Sequence, residues 1–190
     1  MTTDDQLQQL IKDVRYLRDR QAVLDVIMRH ARGHDRHDRD LMNSCFWEDG
    51  VDEHGQFLTP GPEYGDWANA AHSAGFFGHL HNIASHTCEI DGDTAHCDTY
   101  VIGAVLPQGT PGKAKFTSGR YVDRLERRDG EWRIAVRRTV IEVEIEGEAS
   151  WPQNPVTETF PKGAWDKTDL TYARPLKLDS PSPFWDGTTR

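Results

Sequence analysis

The sequence predicts an α+β fold in which helices come first and an antiparallel sheet follows. Early in the chain, apolar residues recur at helical spacing, and the first stripe comprises Leu7, Leu10, Ile11, Val14 and Leu17. In the second half apolar and polar residues tend to alternate, and the turn signals Gly92-Asp93 and Asp129-Gly130 divide this half into hairpins. Helices and antiparallel strands that are segregated along the chain are typical of α+β domains.

Capping residues mark the expected helix boundaries near the N-terminus. Thr3 is the expected N-cap of the first helix, and Gln6 completes its capping box. Asp19 is expected to cap a second helix that ends at Gly33, since glycine commonly follows the last helical residue. Asp38 precedes a short apolar segment, which predicts a third, short helix.

The middle of the chain mixes strand, loop and helix signals. Residues 51–57 predict a short, irregular strand, and Pro60-Gly61-Pro62 predicts a loop. Residues 64–77 are expected to form a helix with Trp67 and several alanines on one side.

The first predicted hairpin places two cysteines opposite each other. The turn at Gly92-Asp93 joins strands over residues 79–90 and 94–106, and in this register Cys88 faces Cys97. A disulfide fits that geometry. A reduced pair is favoured, because three cysteines without a CxxC motif are typical of a reducing compartment.

The second hairpin has the clearest signal, the Asp129-Gly130 turn between residues 116–126 and 131–145. Its register predicts two cross-strand pairs, Glu126 with Arg133 and Leu125 with Ile134. Alternation then predicts the faces of the last strand, with Trp132, Ile134 and Val136 on one side and Arg133, Ala135 and Arg137 on the other.

Length and composition indicate one globular domain with a further C-terminal segment. The chain has 190 residues, of which 36% are hydrophobic and 28% charged. Residues 1–146 are expected to form the domain. Residues 147–190 are rich in Pro, Trp and Asp, and we expect them to form an extended arm that packs on the same or a neighbouring subunit.

Charge and hydropathy exclude several classes of partner. The formal net charge of −9 argues against binding to nucleic acid or to an anionic membrane, because both need a basic patch. The sequence has no apolar run of about 18 residues, so no membrane span is expected. The polar N-terminus is not typical of a signal peptide, and a cytoplasmic location is expected.

The strongest candidates for catalysis are a carboxylate and an imidazole. Asp35 follows an apolar helical pattern, although an acidic residue there is usually a cap or a solvated charge. His81 lies at the start of a predicted strand, and a neutral histidine with a reference pKa of about 6.5 can accept a proton at neutral pH. A carboxylate on its other nitrogen fixes the tautomer and stabilises the imidazolium.

Metal binding is the competing use of the histidines. His34, Asp35 and His37 are close in sequence, and His79 and His81 share a strand face. Zinc needs three or four converging ligands. The sequence has no HExxH or paired CxxC motif, no GxGxxG or P-loop and no GxSxG elbow, so we expect neither a metal nor another cofactor.

Four segments over roughly residues 19–145 together form a recognisable pattern: DRQAVLDVIMRHARGHDRHDRDLM, FWEDGVDEHGQF, HNIASHTCEIDGDTAHCDTYV and SGRYVDRLERRDGEWRIAVRRTV. With them the chain resembles the SnoaL-like branch of the nuclear transport factor 2-like superfamily. The resemblance implies a curved antiparallel sheet that helices close into a cone with a pocket inside. Members of this branch include enzymes similar to scytalone dehydratase, hexachlorocyclohexane dehydrochlorinase and bile-acid dehydratase.

The resemblance implies roles for individual residues. The family's catalytic Asp and His fall on Asp35 and His81, and an Arg of the last long strand falls on Arg137, where an ion pair across the hairpin is the alternative use. His30 stands where the dehydrochlorinase-like pattern has Lys, and the tyrosines of scytalone dehydratase have no clear counterpart near Asp35.

The implied activity is that of a cofactor-independent lyase. His81 abstracts a proton from an apolar, aromatic or polycyclic hydroxylated substrate, Asp35 orients it, and Arg137 steadies a developing anion. Water, halide or formaldehyde then leaves, the last from lignin-derived aromatic diols. The alternatives are a ketosteroid-isomerase-like isomerase, a non-catalytic ligand-binding module and the small subunit of a ring-hydroxylating oxygenase. A homo-oligomer is expected, with a trimer favoured over a dimer.

Further residues are expected around the substrate, namely His30, Trp47, Trp67, Phe76, Phe77, Tyr100 and Arg120. For the aromatic side chains, core packing is the more common use. A salt bridge is an equal alternative for Arg120. His37 and His86 are candidates for a second acid.

Overall fold

The computed structural model describes residues 2–149 and 154–183. Its helices are α1 (Thr3–Asp35), α2 (Arg39–Asn43), α3 (Tyr64–Gly75) and the short α4 (Pro155–Glu158). Its strands are β1 (Phe46–His54), β2 (Phe57–Pro60), β3 (Phe76–Asp91), β4 (Thr94–Pro107), β5 (Lys113–Arg128) and β6 (Glu131–Glu148). Within these ranges, no helix is both long and apolar enough to cross a membrane.

The six strands form one open sheet in the order β2-β1-β6-β5-β4-β3. Neighbouring strands are antiparallel except β1, which runs parallel to β6. The predicted α+β class is therefore confirmed, while the sheet is mixed rather than purely antiparallel. The parallel pair arises because β1 and β6 are far apart in sequence and are not joined by a hairpin.

The N-cap of α1 is Thr2 rather than Thr3. The Thr2 hydroxyl accepts a hydrogen bond from the N–H of Asp5, whose carboxylate accepts one from the N–H of Thr2 and so takes the place predicted for Gln6. From this cap α1 continues for 33 residues, so the two helices predicted before residue 35 are one. Asp38 caps α2 as predicted.

Neither predicted break interrupts α1. Asp19 lies inside the helix, where its carboxylate accepts hydrogen bonds from Arg127 and Trp132 of the sheet instead of capping a helix. A Cβ atom on Gly33 would lie 2.9 Å from Cγ of Met42. This glycine therefore permits the close approach of α2 rather than ending α1.

The two halves of α1 differ in burial. The apolar stripe of the first half is exposed in this chain, and residues Leu7 and Leu17 are 53% and 63% exposed. In the second half, Val23, Val26 and Ile27 are buried in the core against the sheet. The hydrophobic core therefore begins midway along this helix.

Both predicted hairpins form in the predicted register. Cys88 lies opposite Cys97, and both thiols are free. The turn residues Asp129 and Gly130 have φ angles of 52° and 83°, as a type I′ hairpin turn requires. The predicted cross-strand pairs of the second hairpin are present, Glu126 with Arg133 and Leu125 with Ile134.

A β-bulge in β6 overturns the predicted faces of this strand. The pairing with β5 shifts between Ile134 and Val136, which leaves Ala135 as an extra residue. Arg137, predicted on the face opposite Trp132 and Ile134, therefore lies on their inner face and is fully buried. Val136 points to the other face.

The bulge directs Arg137 into a buried ion pair. Its Nε and Nη2 atoms donate to the two carboxylate oxygens of Asp123 at 2.8 and 2.7 Å, and neither side chain is exposed. Its Nη1 atom donates to Nδ1 of His30 in α1 at 2.9 Å. Burial alone favours the neutral form, but the carboxylate of Asp123 outweighs it and raises the pKa of Arg137. These bonds join β5, β6 and α1.

The C-terminal segment contacts the end of α1 and the start of α2. Asp169 pairs with Arg36 at 3.2 Å, and Lys167 and Tyr172 both donate hydrogen bonds to Asp38. Strand β6 runs two residues past the predicted domain boundary at residue 146. The two-part division of the chain stays a prediction, and residues 150–153 and 184–190 of the predicted arm lie outside the described residues.

The buried ion pair predicts a large difference between two similar substitutions. Asp123→Ala removes a carboxylate from a fully buried pair and leaves the Arg137 charge uncompensated, so we expect the free energy of unfolding to fall by about 3–5 kcal/mol. Glu53→Ala removes the partner of exposed Arg138 and should cost at most about 1 kcal/mol. Urea unfolding of both variants measures the difference. Similar losses in the two variants would contradict the assigned role of the Arg137–Asp123 pair.

Candidate active site

Asp35 and His81 form a hydrogen-bonded pair. Nδ1 of His81 lies 2.7 Å from Oδ1 of Asp35, and the two side chains are only 14% and 13% exposed. The backbone N–H of His81 also donates to both carboxylate oxygens, at 2.9 and 3.1 Å. Because the ionised carboxylate accepts a proton-bearing Nδ1, the lone pair of His81 lies on Nε2.

The fold brings this pair together from two distant elements. Asp35 is the last residue of α1, and His81 lies on the inner face of β3, opposite Gly103 of β4. A Cβ atom on Gly103 would lie 2.6 Å from Oγ1 of Thr117 in β5. The absence of a side chain at this position therefore keeps the sheet surface beside His81 free.

A cavity of about 360 Å³ lies against the inner face of the sheet, and His81 forms part of its wall. The wall combines apolar and aromatic side chains with imidazoles, including Phe76, Val101, Tyr121, His54 and His72. This volume is near the lower end of the range for small-molecule sites, which is about 300–1,000 Å³. The cavity therefore suits a compact apolar ligand beside a base.

A second carboxylate lies close to another imidazole of the cavity wall. Asp52 of β1 is fully buried, and among the described residues neither of its carboxylate oxygens has a hydrogen-bond partner. Nδ1 of His54, which lines the cavity, lies 3.7 Å from Oδ1 of Asp52. Both carboxylate oxygens are therefore available as hydrogen-bond acceptors beside the imidazole of His54.

A chain of hydrogen-bonded histidines lies behind His81. His34 contacts Tyr64 through Nε2 at 3.0 Å, and its backbone carbonyl lies 3.1 Å from Nε2 of His79. Nδ1 of His79 is in turn 2.5 Å from Nδ1 of His72. The ring centroids of His34 and His81 are 4.4 Å apart, so the chain contacts the Asp35–His81 pair directly.

Burial keeps several of these imidazoles neutral. It lowers the pKa of His30 and His34 well below the ordinary value, and the guanidinium of Arg137 acts in the same direction on His30. Burial also lowers the pKa of His72 to about 3. The same burial raises the pKa of Tyr64, which therefore stays a phenol. At neutral pH these four groups carry no charge.

Two groups of side chains have the chemistry of metal ligands. The first, His34, His72 and His79, has ligand nitrogens within 4.8 Å of one another. Nδ1 of His72 and Nδ1 of His79 are hydrogen-bonded to each other at 2.5 Å. The second group, His86, Cys88 and Cys97, lies further along β3 and β4.

The predicted catalytic residue Arg137 is close to the cavity without lining it. Its guanidinium lies 3.9 Å from the ring centroid of Tyr121, which forms part of the wall. The contacts of Arg137 are those of the alternative prediction, an ion pair, because its guanidinium binds Asp123. The guanidinium also binds His30, which was predicted to contact the substrate. A role for Arg137 in anion stabilisation stays a prediction.

The other predicted substrate contacts are dispersed. Phe76 and Arg120 line the cavity, and Arg120 also bridges Asp98 and Glu142. The remaining four do not line the cavity. Trp47 donates a hydrogen bond to the carbonyl of Glu126, and Trp67 packs on His54. Phe77 is buried, and Tyr100 is half exposed on the outer face of β4. Of the predicted second acids, His37 stacks on Trp165, and His86 binds Thr99.

The sequence reasoning did not single out His54, His72 or Tyr121 as site residues. The segment Asp52-Glu53-His54 carried a signal, since two polar residues at strand spacing point to one face. His72 lies on a helix and Tyr121 on a regular strand, and nothing local distinguishes either residue from ordinary core or surface positions.

Comparison with known families identifies one match. The family profile described as SnoaL-like domain matches residues 15–138. No curated protein sequence matches the chain.

Solved structures share the fold at low sequence identity. A candidate scytalone dehydratase from Novosphingobium aromaticivorans has a TM-score of 0.61 and 16% identity over 68% of this chain and 88% of that chain. A hexachlorocyclohexane dehydrochlorinase, LinA type 3, from Novosphingobium barchaimii has a TM-score of 0.66 and 20% identity over 71% of this chain and 94% of that chain. A Mycobacterium tuberculosis protein of unknown function has a TM-score of 0.57 and 26% identity over 75% of this chain and 77% of that chain.

The neutral buried histidines predict a loss of stability in mild acid. The folded-state pKa of His72 is about 3, below the unfolded value of about 6.5, so the unfolded state binds more protons as the pH falls through this window. Stability is then lost from about pH 6.5 downwards, by up to about 1.4 kcal/mol per pH unit for each such group.

The test compares the slopes of unfolding free energy against pH between pH 7.5 and pH 5. We expect His72→Gln to reduce the slope below about pH 6 by about 1 kcal/mol per pH unit. The matched control His96→Gln removes an exposed histidine and should leave the slope unchanged. An unchanged slope in His72→Gln would contradict the neutral state assigned to His72.

Proposed function

This chain belongs to the SnoaL-like domain family, and we propose that within this family it is a cofactor-independent lyase whose base is His81. The observation that carries the proposal is the 2.7 Å hydrogen bond between Asp35 and His81 at the wall of a mostly apolar cavity. The structural neighbours described as a dehydratase and a dehydrochlorinase support an elimination.

The proposed first step is removal of a proton by Nε2 of His81. The electron pair left on the substrate forms a new double bond and expels a group from the neighbouring atom. The imidazolium that results is stabilised by the carboxylate of Asp35. Asp35 also accepts a hydrogen bond from the backbone N–H of His81. This second contact fixes the position of the carboxylate relative to His81 before the substrate binds.

The proposed second group is His54, acting as the acid for the leaving group. A departing hydroxyl needs a proton, and the imidazolium of His54 can donate one into the cavity that both histidines line. Oδ1 of buried Asp52 lies 3.7 Å from Nδ1 of His54, so this carboxylate can orient the ring. Base and acid then occupy separate strands of the sheet, β3 and β1.

The proposed substrate is a compact hydroxylated aromatic or alicyclic molecule. Phe76, Val101 and Tyr121 provide an apolar surface, and the volume of about 360 Å³ suits one or two rings. Loss of water from an alcohol and release of formaldehyde from a lignin-derived aromatic diol both fit this chemistry. In the second reaction His81 takes the O–H proton of a hydroxymethyl group, the carbon–carbon bond breaks as formaldehyde forms, and the carbon left behind uses the electron pair of that bond to take the proton back from His81.

We also propose self-association, with a trimer as the expected state. Large apolar side chains are exposed on the face of β4–β6 that points away from the helices, namely Tyr100, Ile102, Phe116, Val122, Val143 and Ile145. Such a surface normally marks a protein interface. A cytoplasmic location stays a prediction.

The first test is turnover of a panel of hydroxylated aromatics, steroids and lignin-type diols, followed by product mass. Loss of one water identifies a dehydratase, loss of one formaldehyde identifies a carbon–carbon lyase, and an unchanged mass identifies an isomerase. We expect His81→Ala to lower kcat by about 10²–10⁴-fold, because it removes the general base. Asp35→Asn should have a similar effect. The control His96→Ala should be fully active, and an equally active, folded His81→Ala would refute the proposal.

The role of His54 is tested by changing the leaving group. We expect His54→Gln to slow loss of hydroxide from an alcohol by about 10²-fold, since the hydroxyl must be protonated as it leaves. The same variant should lose little activity on the matching chloride, because chloride departs without a proton. His81→Ala should lose activity on both. An equal loss on alcohol and chloride in His54→Gln would assign His54 to substrate binding instead.

A further inference from the structure

Four side chains form two cross-strand pairs on the inner face of β3 and β4, separate from the cavity wall. His86 lies opposite Thr99, and Cys88 lies opposite Cys97. Both cysteines and Thr99 are buried, and both thiols are free. Nitrogen and sulfur donors of His86, Cys88 and Cys97 lie within 4.8 Å of one another. We propose that these three residues bind a zinc ion.

The orientation of His86 favours metal binding. Its Nδ1 atom is 2.8 Å from Oγ1 of Thr99, while its buried Nε2 atom has no hydrogen-bond partner among the described residues. A ligating histidine typically has one nitrogen held by an oxygen and the other directed at the metal. Thr99 is fully buried and supplies that oxygen. The Nε2 atom of His86, which otherwise lacks a hydrogen-bond partner, and the two thiols would then all bind the zinc ion.

The charge and softness of the donors select the metal. Two thiolates and one neutral imidazole carry a charge of about −2, which Zn²⁺ neutralises, so the occupied site is electrically neutral inside the core. Thiolate and imidazole ligands favour zinc over magnesium or calcium, which prefer oxygen. Three protein ligands leave the fourth tetrahedral position for a water molecule.

The position of the site indicates its role. Strand β3 is an edge of the sheet, and its pairing with β4 is irregular between Ile83 and His86. A metal held by His86 and Cys88 of β3 and by Cys97 of β4 fastens the edge strand just after this irregularity. Metal binding at this position does not depend on the activity proposed for His81.

The test uses reduced, tag-free protein freed of metal with a chelator and then titrated with Co²⁺. We expect a thiolate-to-cobalt charge-transfer band that saturates at one equivalent and disappears on addition of one equivalent of Zn²⁺, which binds more tightly than Co²⁺. Cys88→Ser, Cys97→Ser and His86→Ala should each weaken or abolish the band. Thr99→Val keeps all three ligands and should weaken Zn²⁺ binding by about 10- to 100-fold.

Cys45 provides the matched control, because it is equally buried but donates to the carbonyl of Leu41 in another part of the fold. Cys45→Ser should bind Co²⁺ as wild type does. The proposal is overturned if wild type gives no thiolate band, or if Cys45→Ser abolishes the band while Cys88→Ser and Cys97→Ser keep it. If either ligand variant fails to fold, the wild-type spectrum and Thr99→Val still decide the question.

Discussion

The buried ion pair between Arg137 and Asp123 is the contact on which the geometry of the site depends. Two opposite charges without exposed surface are stable together only if their hydrogen bonds are satisfied, and here the guanidinium binds both carboxylate oxygens and His30. His30 lies little more than one turn before Asp35 on α1. The pair therefore fixes the position of α1 on the sheet, and this position places Asp35 next to His81 of β3.

Several polar and ionisable side chains are buried in the interior of the fold. They are accommodated in two ways, either as an ion pair or as imidazoles that stay neutral. Arg137 and Asp123 form a full ion pair, whereas His30, His34 and His72 are held neutral by burial. Asp52 is the exception, since its buried carboxylate has no hydrogen-bond partner among the described residues and interacts with Arg137 and with the imidazole of His54 only at longer range. Imperfectly satisfied groups of this kind are typical of functional sites, where local stability is given up for chemistry.

Local sequence signals predicted those features that depend on neighbours in the chain. Turn residues set the registers of both hairpins and hence the Cys88–Cys97 pair. The pairing of Asp35 with His81 follows from the family resemblance and not from local signals, because the two residues meet through tertiary packing. The prediction that Asp19 caps a helix is wrong for the same reason, since its partners Arg127 and Trp132 lie in the sheet. The bulge at Ala135 has no glycine or proline to mark it, so strict alternation placed Arg137 on the wrong face.

The uneven burial of α1 creates a gradient of local stability along a single helix. At 33 residues the helix is about 50 Å long, and only its second half packs against the core. An isolated helical segment is marginal in water, so backbone amides of the first half exchange with solvent through local fraying, whereas those around Val26 exchange only when the domain opens. Asp35 lies at the protected end. Fluctuations at the start of the helix are therefore damped before they reach the carboxylate that orients His81.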